Sequence, residues 1–119
     1  MTFKNRKHDR HESFKLISYD CLSKNDEIVT QGMGRTLNVS EGGILLETHV
    51  AIDTQYLISL AIGIADELVD IKGKVVYCNM GKDGMFESGI EFMQIEKKAS
   101  RVLNKYIKAF YSEKNKNEK

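Results

Sequence analysis

Ile28-Val-Thr-Gln-Gly-Met-Gly-Arg-Thr-Leu-Asn-Val-Ser-Glu-Gly-Gly-Ile-Leu-Leu-Glu47 is the stretch from which the rest of this 119-residue chain is read. Two runs rich in apolar and β-branched residues, Ile28 to Leu37 and Ile44 to Glu47, flank the polar segment Asn38 to Gly43. Runs of that composition bounded by Asn, Ser and Gly read as strands joined by a loop. Gly32 and Gly34 inside the first run suggest a bend or bulge, as barrel corners require.

Runs of the same kind extend outward in both directions. Phe14 to Leu22 carries Phe14, Leu16, Tyr19 and Cys21 among polar residues, and Lys24-Asn25-Asp26 follows as a turn. Beyond the turn at Ile52-Asp53-Thr54, Tyr56 to Ile62 reads as a fourth strand and residues 68–78 as a fifth. Asp83-Gly84 is a hairpin signal, after which Met85 to Met93 returns as a sixth strand. Past Met93 the period changes. Ile95, Ala99, Val102, Leu103, Tyr106, Ile107 and Phe110 recur at three- and four-residue spacing, with Lys97, Lys98, Lys105 and Lys108 between them. That is an amphipathic helix of about four turns.

Short strands with frequent turns and one terminal helix favour a closed barrel over a sandwich. The expected architecture is all-β with a C-terminal helix: a six-stranded antiparallel β-barrel over residues 13–93. A flexible polar arm, 1–12, precedes it; an amphipathic helix, 94–113, and a polar tail, 114–119, follow. The helix stripe packs on the barrel's open edge or end, or else makes a dimer contact, so a monomer or weak dimer is expected.

Composition narrows the function classes. The length fits one domain of roughly 100–200 residues, and 41% hydrophobic with 29% charged residues is ordinary for a globular protein. Eighteen basic against 17 acidic residues leave a net charge of +1, so no bulk field draws in a long polyanion. The charge is nonetheless uneven, with residues 4–11 basic. A basic arm on a neutral body suits a small anionic ligand better than a nucleic-acid duplex. The N-terminus lacks the apolar region of a signal peptide. The longest apolar stretch, Tyr56 to Ala65, is about half of what spans a bilayer, so no membrane insertion is expected. Cys21 and Cys78 lack metal or disulfide spacing and read as reduced thiols, which places the chain in the cytoplasm.

Two segments carry chemistry. In Arg6-Lys7-His8-Asp9-Arg10, arginines four apart can lie on one side of the chain. Each guanidinium is a planar fork that pairs with guanine O6/N7 or with phosphate and stacks on a base. In Asn38-Val39-Ser40-Glu41-Gly42-Gly43, Asn38 and Ser40 can bond a base edge or a phosphate oxygen. Gly42 and Gly43 allow positive φ and close backbone approach, so that successive N–H groups can form an anion-binding concavity. Singly, the first segment reads more simply as a solvated basic tail and the second as a plain turn.

Taken together and in this order, the two segments resemble the PilZ family, small domains that bind cyclic di-GMP. Arg6 and Arg10 match its Arg-x-x-x-Arg signature; Asn38, Ser40 and Gly43 match its (Asp/Asn)-x-Ser-x-x-Gly signature. Gly89-Ile-Glu-Phe92 looks like its last strand, and the resemblance runs from Arg6 to about Tyr111. It implies a non-enzymatic receptor and adaptor. Arg6 and Arg10 would stack on and fork to guanines and phosphates, while Asn38, Ser40 and Gly43 would hold one guanine and its phosphate edge. Lys7 and Gly42 are secondary candidates. Binding would draw the arm across the barrel and signal to an effector protein. Lys7 stands where many members carry a further arginine, His11 where many carry an apolar residue, and Asn38 where aspartate is commoner. Asn5 occupies the position that varies between members taking one ligand molecule and those taking a stacked pair. A nucleotide-independent protein–protein interaction module on the same barrel is the alternative.

Other constellations are poorer. His8, Asp9, His11 and Glu12 are metal-ligand types but read as a solvated segment, and His49 reads as a surface residue. Neither a metal nor a cofactor is expected. No triad order, carboxylate pair or Walker-type loop supports catalysis. An interleaved aromatic and basic stripe for stacking single-stranded RNA is also lacking.

Overall fold

A computed structural model of the chain describes residues 14–117. Six strands, β1 (Leu16–Leu22), β2 (Ile28–Val39), β3 (Gly43–Thr48), β4 (Leu57–Ile64), β5 (Glu67–Met80) and β6 (Phe86–Phe92), precede one helix, α1 (Lys97–Asn117). They close into a barrel in the order β1-β2-β3-β6-β5-β4, with each neighbouring pair antiparallel.

Alternation in the sequence becomes inside and outside in the barrel. Ile58, Leu60 and Ile62 of β4, Ile17, Tyr19 and Cys21 of β1, and Ile71 and Val75 of β5 are buried together in one core. Cys21 is buried and Cys78 half-buried, each as a free thiol. Burial first, and the charge of Asp20 second, push the Cys21 thiol upward in pKa, which keeps it neutral and unreactive.

Strand β2 runs two residues further than its sequence suggests. The register steps from Thr36↔Leu46 to Asn38↔Leu45, leaving Leu37 as an extra residue on β2. A bulge of this kind resets the inside–outside alternation. Thr36 and Val39 are both buried although three positions apart, while Asn38 is exposed. A matching step between Val75 and Tyr77 makes Val76 the extra residue of β5. Gly32 and Gly34 are not the bulge sites that sequence suggested. They make room for neighbours: a Cβ on Gly34 would lie 2.6 Å from Leu46 Cγ, and one on Gly32 would lie 2.6 Å from the Tyr19 hydroxyl. Asp83-Gly84 does mark the β5–β6 turn, where both residues take positive φ, 58° and 75°.

Helix α1 begins at Lys97 rather than 94 and continues to Asn117, through part of the stretch read as a tail. No glycine or proline stops it, and Glu113, Lys114 and Lys116 are good helix formers. Its apolar stripe, Ala99, Leu103, Tyr106 and Phe110, joins the same core as the inward strand residues and so closes one end of the barrel. Tyr106 is fully buried, and its hydroxyl shares a 2.7 Å hydrogen bond with Thr36 of β2. Burial pushes the pKa of this hydroxyl up to about 12. Phe14 meets the Tyr106 ring edge-on at 5.5 Å, tying the start of the described chain to the helix.

Candidate functional site

The β2–β3 hairpin carries the sequence-predicted polar residues. Its tip is held by Ser40 N–H donating to Gly43 O at 2.8 Å and Gly42 N–H donating to Ser40 Oγ at 3.2 Å. Phe92 N–H donates to Gly42 O at 2.9 Å, fastening the tip to the end of β6. A Cβ on Gly43 would be driven into the carbonyl oxygen of Ile90, whereas one on Gly42 would meet nothing. Close backbone approach is therefore the role of Gly43. The expected positive φ is absent: among the described glycines only Gly84 adopts it. Gly43 is already the first paired residue of β3, opposite Glu91, and pairing holds it in the extended region.

The strand registers set out the outer surface beside this tip. One row runs Asn38, Leu45, Gly89, Tyr77 across β2, β3, β6 and β5. The next row runs Gly43, Glu91, Lys74. Because Gly89 has no side chain, the Tyr77 ring lies down over it; a Cβ there would collide with the ring. An aromatic covering a cross-strand glycine is a stabilising device, yet Tyr77 remains 44% exposed. The first row, with Gly43 and Glu91 of the second, borders an open groove of about 380 Å³, lined by Asn38, Ser40, Gly42, Gly43, Tyr77 and Glu91 among others; Lys74 lies outside its lining. A second hollow, about 560 Å³, lies on the other side of Ser40, between the tip and Asn104, Lys108 and Tyr111 of α1.

Tyr111 joins the helix to the groove. Its hydroxyl donates to Asn38 Oδ1 and lies 2.8 Å from Val39 O. Val39 N–H also donates to Asn38 Oδ1, at 3.0 Å. No lining residue of the groove is cationic, and Glu91 is its one ionisable carboxylate. The exposed Lys74, paired with Glu91, is the adjacent cation of the second row.

A sequence model of the PilZ domain matches residues 4–109. The chain belongs to the PilZ domain family. PilZ domains generally bind cyclic di-GMP as adaptors and are typically non-catalytic. Among solved structures, the PilZ domain of CeSA from a cellulose-synthesizing bacterium is similar, with TM-score 0.57 and 8% identity over 81% of this chain and 93% of that one. MrkH of K. pneumonia in its apo state is also similar, with TM-score 0.55 and 17% identity over 84% of this chain. This chain spans about half of MrkH, 49% of its length. At these identities the likeness concerns the fold. No curated protein matches the chain.

Of the residues expected to contact ligand, this PilZ domain brings Asn38, Ser40, Gly42 and Gly43 together along one groove. Arg6, Lys7 and Arg10 lie outside the described residues, as do His8, Asp9, His11 and Glu12. Among the described residues no group of three metal-ligand side chains occurs, and no helix is long and apolar enough to cross a membrane. Sequence reasoning missed Tyr77, Glu91 and Tyr111. Tyr77 and Glu91 were legible only as outward positions of strands. Tyr111 follows Ile107 by four residues, which puts it on the flank of the buried stripe, and that offset was the available signal.

Proposed function

We propose that this PilZ domain is a cytoplasmic cyclic di-GMP receptor and adaptor that binds the dinucleotide between Arg6/Arg10 and the Asn38–Gly43 tip. The supporting observation is a groove that offers hydrogen-bonding groups and close backbone approach but no cation of its own. Two guanidinium forks supply what it lacks, pairing with phosphates and with guanine O6/N7. Lys7 adds a point charge. Connectivity favours this pairing. Thr36 N–H donates to Lys15 O at 2.7 Å, so the chain passes beside β2 only two residues from Asn38. Arg10 is five residues from Lys15, within at most about 17 Å of chain, and Arg6 within about 30 Å.

Chain and ligand then order one another, and the seated arm is the surface an effector protein reads. The reading requires neither a metal nor a cofactor. Arg6→Ala or Arg10→Ala should weaken cyclic di-GMP binding at least about tenfold, since a bidentate arginine–guanine pair contributes roughly 1–3 kcal/mol. Melting temperature without ligand should not move. Calorimetry with GTP and cyclic di-AMP as controls measures this, and unchanged affinity in both variants would remove the roles assigned to the arginines.

A further inference from the structure

Strand β2 outruns β3. Its pairing with β3 begins at Arg35, so Ile28–Gly34 has β1 on one side and no strand on the other. In an antiparallel ladder each residue turns its N–H and C=O to one side, alternating along the strand. Thr36 N–H donates to Lys15 O, so Gly34, Gly32 and Thr30 face β1 as well. Met33 and Gln31 turn their main chain the other way. Among the described residues, no hydrogen bond reaches either of them on that side. Strand β3 ends at Thr48, whose hydroxyl donates to Val50 O as the chain turns off, and the Gln31 side chain is tied back to Asp20 at 2.9 Å.

Charge and proline, which commonly guard an exposed edge, are absent from Ile28-Val-Thr-Gln-Gly-Met-Gly34. Val29 and Met33 are 48% and 56% exposed. We propose that this edge pairs with the same edge of a second copy of the chain, antiparallel about a twofold axis at Gln31. A second copy is the occupant because the stretch is complementary to itself in that register. The outward main-chain groups of the two Gln31 residues meet, and Val29 of each copy faces Met33 of the other. The flanking charges are opposite in sign: Glu27 of each copy comes level with Arg35 of the other, and both residues are exposed. Val29 is the extra residue at the register step between β1 and β2, and a bulge there bends each chain away before it reaches the other copy's β3. Asn38 lies seven residues beyond Gln31 on β2. The two hairpin tips therefore stand roughly 45 Å apart, and both grooves stay open. Self-association does not depend on the receptor reading; combined with it, the adaptor is bivalent.

The test is sedimentation equilibrium of the whole chain between about 10 µM and about 1 mM, without ligand. One strand pair is a small interface, so a monomer–dimer equilibrium within that range is expected. A monomer alone at the highest concentration overturns the proposal. Gln31→Pro removes a donor that β1 does not use, at the kind of edge where proline is tolerated. It should weaken the dimer at least about tenfold while circular dichroism stays that of the parent. Met33→Lys, which places a charge on the edge, should do the same and serves if Gln31→Pro does not fold. Glu27→Arg and Arg35→Glu should each weaken the dimer about three- to tenfold, because like charges then meet twice. The double charge reversal should return it to within about threefold of the parent. Undiminished association in the folded edge variants, or no recovery in the double reversal, overturns the pairing.

Discussion

Gly43→Val will lift the hairpin tip off the barrel, lowering stability by about 2–3 kcal/mol and cyclic di-GMP affinity by more than about tenfold. The cause is local and steric. The first atom of any side chain at Gly43 enters the space of the Ile90 carbonyl oxygen, and backbone cannot turn aside as a side chain can. Relief requires β3 to separate from β6 where Gly43 faces Glu91. That movement carries off Ser40, bonded to Gly43, and strains the bond from Phe92 to Gly42 O. Gly42→Ala is the internal control. Its new methyl meets open space and its φ is not positive, so stability should stay within about 0.5 kcal/mol of the parent. Urea unfolding of both variants, with titration under folding conditions, separates the two glycines. Equal stability of Gly43→Val and the parent would show that the approach to β6 is not what selects glycine there.

Tyr106→Ala should be more damaging still, by about 3–5 kcal/mol, the usual range for emptying an aromatic site in a core. Tyr106 sits where the helix enters the barrel, against Phe14 and bonded to Thr36. Its loss opens a cavity, removes an edge-on ring contact and leaves the buried Thr36 hydroxyl without its partner. Tyr106→Phe keeps the ring and isolates the last of these effects, at about 1–3 kcal/mol. The same residue gives an alkaline signature. Its folded pKa of about 12 lies above the ordinary tyrosine value of 10.0. The native state thus holds the phenol proton longer than the unfolded chain does. The Tyr106 contribution is fully present below pH 10, then declines as pH rises toward 12. Chemical unfolding across that range should show a steeper loss for the parent than for Tyr106→Phe. Parallel slopes would mean that the phenol ionises as readily in the barrel as in the unfolded chain.

Strand placement was legible from short apolar and β-branched runs broken by turn residues, with clear alternation in residues 68–78, and a helix period is hard to mistake once it follows six such segments. The bulges were not. Leu37 and Val76 look like any other strand residues in the chain, and their role exists only through a partner strand one residue shorter. Gly32 and Gly34 drew attention as candidate bends, yet what they answer to is the bulk of Tyr19 and Leu46 across the sheet. Pairwise volume is invisible in a linear reading. The polar half of the groove was legible as a motif, because Asn38, Ser40 and Gly43 lie within six residues of one another. Tyr77, Glu91 and Tyr111 were not, since registers between strands far apart in sequence bring them to the same place. The reading of Gly42 and Gly43 as a left-handed pair failed for a related reason: β3 starts at Gly43, and strand pairing leaves no freedom there for a turn conformation.

Every strand of this barrel has a partner on both sides, since β1 pairs with β4 as well as with β2. The pairing is nonetheless staggered: β2 pairs with β1 alone over Ile28–Gly34, and β5 with β6 alone over Tyr77–Met80, and such one-sided stretches are what an incoming peptide can extend. Strand addition by another protein is thereby confined to those overhangs, and elsewhere on the cylinder a partner meets side chains alone.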